Sequence, residues 1–435
     1  MLPTQDDPVV AASSMLIGGP VGRHARIGAS WWTPLRVVLA LTLVACVLGF
    51  AQKLPCRGEW HGGSQYYHTC YSDIYALYFG LGLAEGKTPY LDHPVEYPVV
   101  IGAVMAAGAG VARAIPDTGR ARRFFDVTWV LLTIAALVIG TTTLRLAGPR
   151  PWDAAMVALA PGLVLGGFVN WDLIAVALTG LGMLAWARRR LVWSGVWLGL
   201  AVATKFYPVV FFAPLLVLCL RAGRLRAFAV TLAAAVGSWL VVNVPVWRAA
   251  PDGWAEFYRF SRERGADWGS AWYWLQEVRG RPLDVGLRPG AVPDTLNTVA
   301  SAAFLVLLVG IVVLALTAPS RPRLPQVMFL TLAAFLLTNK VYSPQYVVWL
   351  LPLVALARPR WREFLAWQAA EVLYFLGIWF YLLGVTEPGK GLPAGLYFLA
   401  LFLRAGAVAA LAGVVVRDLR RPESDVVRAG GVDDP

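Results

Sequence analysis

Apolar runs long enough to cross a roughly 30 Å hydrocarbon layer, about 20 helical residues each, recur from Leu35 almost to the C-terminus. Short polar breaks, many rich in arginine, separate them. Only elements that satisfy their own backbone N–H and C=O groups cross a bilayer, so runs of this length read as helices. The pattern predicts crossings at about residues 35–51, 97–113, 125–146, 171–187, 191–204, 207–220, 226–246, 297–318, 324–338, 345–357, 362–384 and 393–416. The expected fold is an all-α polytopic membrane protein with about 12 transmembrane helices.

Composition agrees. The hydrophobic set makes up 58% of the 435 residues and charged residues only 15%, against about a quarter in a soluble domain, which excludes a soluble multidomain protein. A net charge of +12 would suit a nucleic-acid partner, but here Lys and Arg sit in short clusters between apolar runs, as membrane orientation requires. Nucleic acid is therefore not expected as a partner.

The basic clusters set the threading when all are assigned to the cytoplasm. They are Arg23/Arg26/Arg36, Arg113/Arg120/Arg122/Arg123, Arg188/Arg189/Arg190, Arg221/Arg224/Arg226, Arg321/Arg323, Arg358/Arg360/Arg362 and Arg417/Arg420/Arg421. This puts both termini inside the cell and makes the chain a multi-pass protein of the plasma membrane. One apolar run, 153–169, falls outside the alternation and reads as a re-entrant or tilted half-helix on the outer side, which suggests a cavity there. The expected organisation is a disordered cytoplasmic tail over 1–34, a transmembrane domain over 35–416 with outer loops at 52–96 and 248–296, and a cytoplasmic tail over 417–435. Leu43-Val44-Ala45-Cys46 resembles a lipoprotein cleavage box, but the segment before it is too long for a signal peptide.

With this threading the polar residues in or beside apolar segments collect outside. Asp73 and Glu96 fall in the first outer loop, and Asn170 and Asp172 at the outer start of a crossing. Lys205 caps the turn of the 191–220 hairpin, and Asn339, Lys340, Tyr342, Ser343 and Gln345 form a late outer turn. Outer loops are wet and are often polar for that reason alone, but Asp73 is set among aromatics in Tyr71-Ser72-Asp73-Ile74-Tyr75. Lys205 stands alone between apolar neighbours, which points to an anion partner. His61, His68 and His93 of the first loop, and His24 before it, show no metal-ligand spacing, so neither a metal nor a cofactor is expected. Gly80, Gly82 and Gly86 follow no strand and do not make a nucleotide loop.

Five stretches resemble glycosyltransferase family 87, C-type membrane enzymes that take sugars from polyprenyl-phosphate donors. They are Tyr71-Ser72-Asp73-Ile74-Tyr75, Gly86-Lys87-Thr88-Pro89-Tyr90 with Glu96-Tyr97-Pro98, Asn170-Trp171-Asp172, Gly199-Leu200-Ala201-Val202-Ala203-Thr204-Lys205 with Pro208, and Tyr342-Ser343-Pro344-Gln345-Tyr346. Order and spacing agree over about residues 66–357. The resemblance implies a C-type architecture and transfer of mannose, or another hexose or pentose, to a lipid-linked or envelope glycan acceptor at the outer face. It also implies Asp73 as the catalytic base. One carboxylate suffices chemically, because a phosphate leaving group needs no acid, and attack from the far face inverts the anomeric centre, unlike two-carboxylate glycosidases. Lys205 first, and Lys340 second, would balance the donor phosphate. Glu96, Tyr97, Asn170, Asp172, Tyr342 and Gln345 are the expected substrate-binding residues. Members often carry a His where this chain has Gln345, so that role is open here.

The competing reading is a secondary transporter or lipid-linked sugar translocase, since many crossings with interrupted helices mark those too. Transporters show paired broken helices in two repeated halves and a midplane site; this chain has no internal repeat and its polar residues crowd one side.

Three further expectations follow. Cys56 and Cys70 share the first outer loop in an oxidising compartment and pair as a disulfide. Glu371 and Arg404 lie at matching depth in consecutive antiparallel crossings and form a structural ion pair away from the donor phosphate. Trp254, Phe257, Tyr258, Phe260, Trp268, Trp272, Tyr273 and Trp274, interleaved with Arg259, Arg262 and Arg264, suit a segment in the headgroup layer beside a lipid entry path.

Overall fold

The computed structural model describes residues 7–23, 31–115, 119–286 and 291–429. Arg26 and His24 lie outside the described residues. The described chain is helical, with no strand. In chain order the helices are α1 (Pro8–Ile17), α2 (Pro34–Lys53), α3 (Ser64–Tyr67), α4 (Asp73–Gly80), α5 (Val99–Arg113), α6 (Arg120–Leu146), α7 (Ala155–Ala158), α8 (Pro161–Gly166), α9 (Asp172–Ala187) and α10 (Leu191–Thr204). There follow α11 (Phe212–Arg221), α12 (Leu225–Ala249), α13 (Pro251–Glu263), α14 (Ala271–Arg279), α15 (Asp294–Thr317), α16 (Leu324–Thr338), α17 (Val347–Ala357), α18 (Trp361–Thr386), α19 (Ala394–Arg420) and α20 (Val426–Ala429).

Six of these, beginning at Pro34, Arg120, Leu225, Asp294, Trp361 and Ala394, are long and apolar enough to cross a membrane, and shorter apolar helices stand beside them. The protein is a multi-pass membrane protein. Small residues let its helices close up. At Gly195 and Gly199 of α10 any side chain would run into the carbonyl oxygens of Thr231 and Ala235 on α12, so glycine is what allows that contact.

The bundle has two distinguishable ends. At one, Arg323 binds Asp425 through Nε at 2.9 Å and Nη2 at 3.0 Å and donates to the carbonyls of Leu356 and Ala357. Arg358 binds Asp418 and Glu363 there, and Asp153, paired with Arg150, feels the charges of Arg323 and Asp7. At the other end lie Asp73, Asn170 and Lys205.

These ends correct the threading. The cluster Arg113/Arg120/Arg122/Arg123 does not share an end with Arg323. Arg113 donates to the Leu83 carbonyl at 2.6 Å, Phe124 stacks on Tyr78 of α4 at 4.8 Å, and Arg57 pairs with Asp126. Both ends of α5 therefore sit at the Asp73 end, and the run 97–113 does not pass between the ends. The run 153–169 is not a half-helix confined to the outer side. It starts at the Arg323 end with Arg150–Asp153, continues as α7 and α8 broken at Pro161, and finishes where the Phe168 and Val169 carbonyls meet Ser72.

The two tails are also more ordered than their composition implies. Asp7 caps α1 by accepting from Val9 N, and its other oxygen accepts from Trp361 N at 2.9 Å, docking α1 on the start of α18. Asp418 and Asp425 are buried, each paired with a guanidinium group: Asp418 with the buried Arg358 and Asp425 with the partly buried Arg323.

Cys56 and Cys70 form the expected disulfide, with Cα atoms 5.6 Å apart. Glu371 and Arg404 form the expected ion pair, Nε to Oε2 at 2.8 Å, and Trp367 Nε1 donates to the other carboxylate oxygen at 2.9 Å. Arg404 does more than pair: Nη1 and Nη2 donate to the carbonyls of Tyr342 and Ser343, and its guanidinium lies 3.5 Å from the Tyr342 ring centroid.

Candidate active site

Asp73 opens α4, with Ser72 as its cap: Ser72 Oγ accepts from Ile74 N and donates to the Phe168 carbonyl at 2.9 Å. Asp73 N donates to the Val169 carbonyl at 2.8 Å. The end of the broken segment therefore locks the start of α4 and brings Asn170 to Asp73. Tyr71 Oη donates to Asp73 Oδ1 at 2.9 Å and Asn170 Nδ2 to Oδ2 at 2.7 Å. The same Asn170 amide donates to Tyr97 Oη at 2.8 Å, while its oxygen accepts from Trp171 N, which fixes the amide's orientation.

The loop carrying Glu96 and Tyr97 is set by Tyr90, whose hydroxyl donates towards the carbonyls of Tyr97 and Pro98 and accepts from Gly102 N. The motifs around Tyr90 and Tyr97 thus build one wall. Lys205 Nζ stands 4.7 Å from the Tyr97 ring centroid and 3.4 Å from Asp172 Oδ1. Asp172 also accepts from Trp349 Nε1 at 2.8 Å, and Trp349 is stacked between Tyr346 and Tyr207. Phe206, next to Lys205, meets Phe257 and Tyr258 of α13, so the aromatic second loop covers this side.

Burial raises the Asp73 carboxyl above its ordinary range, opposed first by the Tyr71 and Asn170 hydrogen bonds and then by the Lys205 charge. Glu96 is raised by burial and by the negative charge of Asp73, against Arg264 and Lys205. Its carboxylate has no hydrogen-bond or ion-pair partner among the described residues. Half-buried carboxyls with raised pKa, an ammonium within reach and one unpartnered acid together suit proton abstraction next to a bound anion.

Of the residues singled out in the sequence, Asp73, Glu96, Tyr97, Asn170, Asp172 and Lys205 come together. The Gln345 backbone packs on Gly166 of α8, and the neighbouring Tyr346 stacks on Trp349, the indole that binds Asp172. Tyr342 and Lys340 do not join this group. Tyr342 is buried against Arg404, and Lys340 spends its ammonium on the carbonyls of Arg262 and Arg264 and on Asn297 Oδ1. Three charged groups near the site, Lys53, Arg264 and Asp267, were not placed there from the sequence. Lys53, fully buried at the end of α2, donates to the Tyr71 carbonyl at 2.9 Å. Arg264, bonded to Asp267 at 2.7 Å, acts on Glu96 and Tyr346. The signal for Lys53 was an unshared lysine closing an otherwise apolar helix; Arg264 and Asp267 sit in a loop read only as interfacial.

The family model of glycosyltransferase family 87 matches residues 124–344, just over half of the chain, including Asn170, Asp172 and Lys205. No curated protein matches the chain.

Proposed function

The chain belongs to glycosyltransferase family 87, and from that membership and the group around Asp73 we propose that it transfers a sugar from a polyprenyl-phosphate donor to a lipid-linked or envelope glycan acceptor. It is a membrane glycosyltransferase; donor, acceptor and the roles that follow are our reading. The donor sugar is mannose or another hexose or pentose. Twelve passes cross the plasma membrane, with 151–166 taking the place of 97–113, so the outer segment after α2 extends to Gly119 and the site faces outward. Both termini are then cytoplasmic.

The acceptor hydroxyl gives its proton to Asp73, and its oxygen attacks the anomeric carbon from the face opposite the phosphate. The bond from that carbon to the phosphate oxygen breaks, its electron pair leaves with the polyprenyl phosphate, and the anomeric centre inverts. Each Asp73 oxygen accepts one hydrogen bond from the protein and keeps a lone pair for the acceptor. Lys205 balances the charge that develops on the phosphate. Asp172 holds Lys205 in place, Tyr97 and Asn170 shape the wall, and Glu96 takes sugar hydroxyls. Gln345 borders the donor pocket. Lys340 and Tyr342 support the late turn and are left out of the phosphate and sugar contacts.

The carrying observation is Asp73 pinned between Tyr71 and Asn170 with Lys205 across the Tyr97 ring. Asp73→Asn keeps the shape and removes the base, so transfer from a labelled polyprenyl-phosphate mannose or pentose to membrane lipid falls about 10²–10⁴-fold with insertion intact. Near-normal turnover in Asp73→Asn rejects the assignment.

A further inference from the structure

Lys53 is a buried ammonium with no ion-pair partner among the described residues, on the protein side of the Asp73 turn. The residue is 0% exposed, its ammonium donates to the Tyr71 carbonyl at 2.9 Å, and it faces the Phe375 ring at 5.6 Å. An ammonium taken out of water is costly unless something compensates it. The carboxylate whose charge acts on it is Asp73. The end of α2 is also fastened to the turn that delivers Asp73. Gln52 Nε2 donates to the Thr69 carbonyl at 2.6 Å, the Cys56–Cys70 bridge closes the loop, and Thr69 itself is held at φ 53°, a left-handed conformation that a threonine adopts only under constraint.

We propose that Lys53 is a positioning residue for the proposed base: it ties the Tyr71–Asp73 turn to α2 and supplies, from behind, a positive charge that favours the ionised Asp73 carboxylate. This rests on Asp73 being the base. The other groups facing Asp73 are Tyr66 and Tyr71 from its own loop, Glu96 and Tyr97 from the wall before α5, Asp172 at the start of α9, and Lys205 after α10. Lys205 is the stronger positive influence on Asp73, but on our reading it is engaged with donor phosphate during turnover. Lys53 is fully buried, so unlike Lys205 it is not itself available to a donor phosphate.

The two cations therefore differ in what their loss does. Lys53→Gln retains an N–H donor for the Tyr71 carbonyl and removes the charge; Lys53→Arg retains the charge. In full-length protein assayed with a polyprenyl-phosphate sugar, Lys53→Gln moves the acidic limb of kcat/KM upward by about one pH unit, which is about tenfold less activity below the limb, with donor KM unchanged. Lys53→Arg keeps the limb in place. Peptide mapping of the Cys56–Cys70 bridge under non-reducing conditions reports folding of this region in both variants. An unmoved limb in Lys53→Gln, a loss expressed only in donor KM, or absence of the bridge in both variants overturns the proposal. Asp73→Asn run alongside separates the premises: substantial turnover there rejects the base assignment itself, whereas an inactive Asp73→Asn with an unmoved limb in Lys53→Gln rejects only the role of Lys53.

Discussion

Asp73 is subject to opposing influences: burial favours its neutral form, while hydrogen bonds from Tyr71 and Asn170 and the charge of Lys205 favour the carboxylate. Burial wins, so its pKa stands above the ordinary 3.8, and in the role of base that we propose for it Asp73 is switched off over a wider acidic range than a free aspartate would be. Activity therefore rises with pH through a limb above pH 4, and Asn170→Ala, which removes a donor to the charged form, shifts that limb further up. A pH profile of kcat/KM on both proteins checks this; a wild-type limb at or below pH 4, or a downward shift in Asn170→Ala, contradicts it. At this scale the sequence was informative where a polar residue interrupts an apolar or aromatic neighbourhood, as at Asp73, Asn170, Asp172 and Lys205. It was uninformative about how a lysine spends its donors. Lys53 and Lys340 look alike in sequence, yet one lies behind Asp73 and the other ties loop carbonyls together.

The last two long helices show how an ion pair links elements to the site. The depth match of Glu371 and Arg404 was readable from counting residues along α18 and α19, but not the further bonds of Arg404 to the Tyr342 and Ser343 carbonyls, which depend on where the 339–346 turn folds back. Those bonds change the expected energetics. Arg404→Leu leaves the Glu371 carboxylate buried and unpaired and frees two carbonyls, a loss of about 3–5 kcal/mol. Adding Glu371→Leu removes the unpaired charge but not the freed carbonyls, so the double variant recovers part of the loss and remains about 1–3 kcal/mol below wild type. Denaturant unfolding in detergent, read by tryptophan fluorescence, ranks the three proteins. A double variant no better than Arg404→Leu would show that the pairing contributes little.

Across the whole molecule, the helical class and the crowding of polar residues at one end were legible, because both follow from the length of apolar runs and from what interrupts them. The path of the chain between 97 and 169 was not. Hydropathy treats α5 and the broken segment 151–166 as equals, and a rule that puts arginine clusters on one side has no means of seeing that Arg113 and Arg123 are spent on carbonyls of Leu83, Ala112 and Ile115. The consequence is measurable in cells. In the outward orientation we propose for the site, a cysteine introduced at the exposed Ala114, in a background where Cys46 and Cys219 are replaced, reacts with a membrane-impermeant maleimide added outside, while one at the exposed Gly148 reacts only after permeabilisation. The arginine-cluster threading demands the reverse at both positions, because it places the 113–123 cluster in the cytoplasm and 146–153 outside. Labelling of position 148 but not 114 in intact cells would instead place the Asp73 end, which holds Arg113, on the cytoplasmic side and turn the proposed site inward.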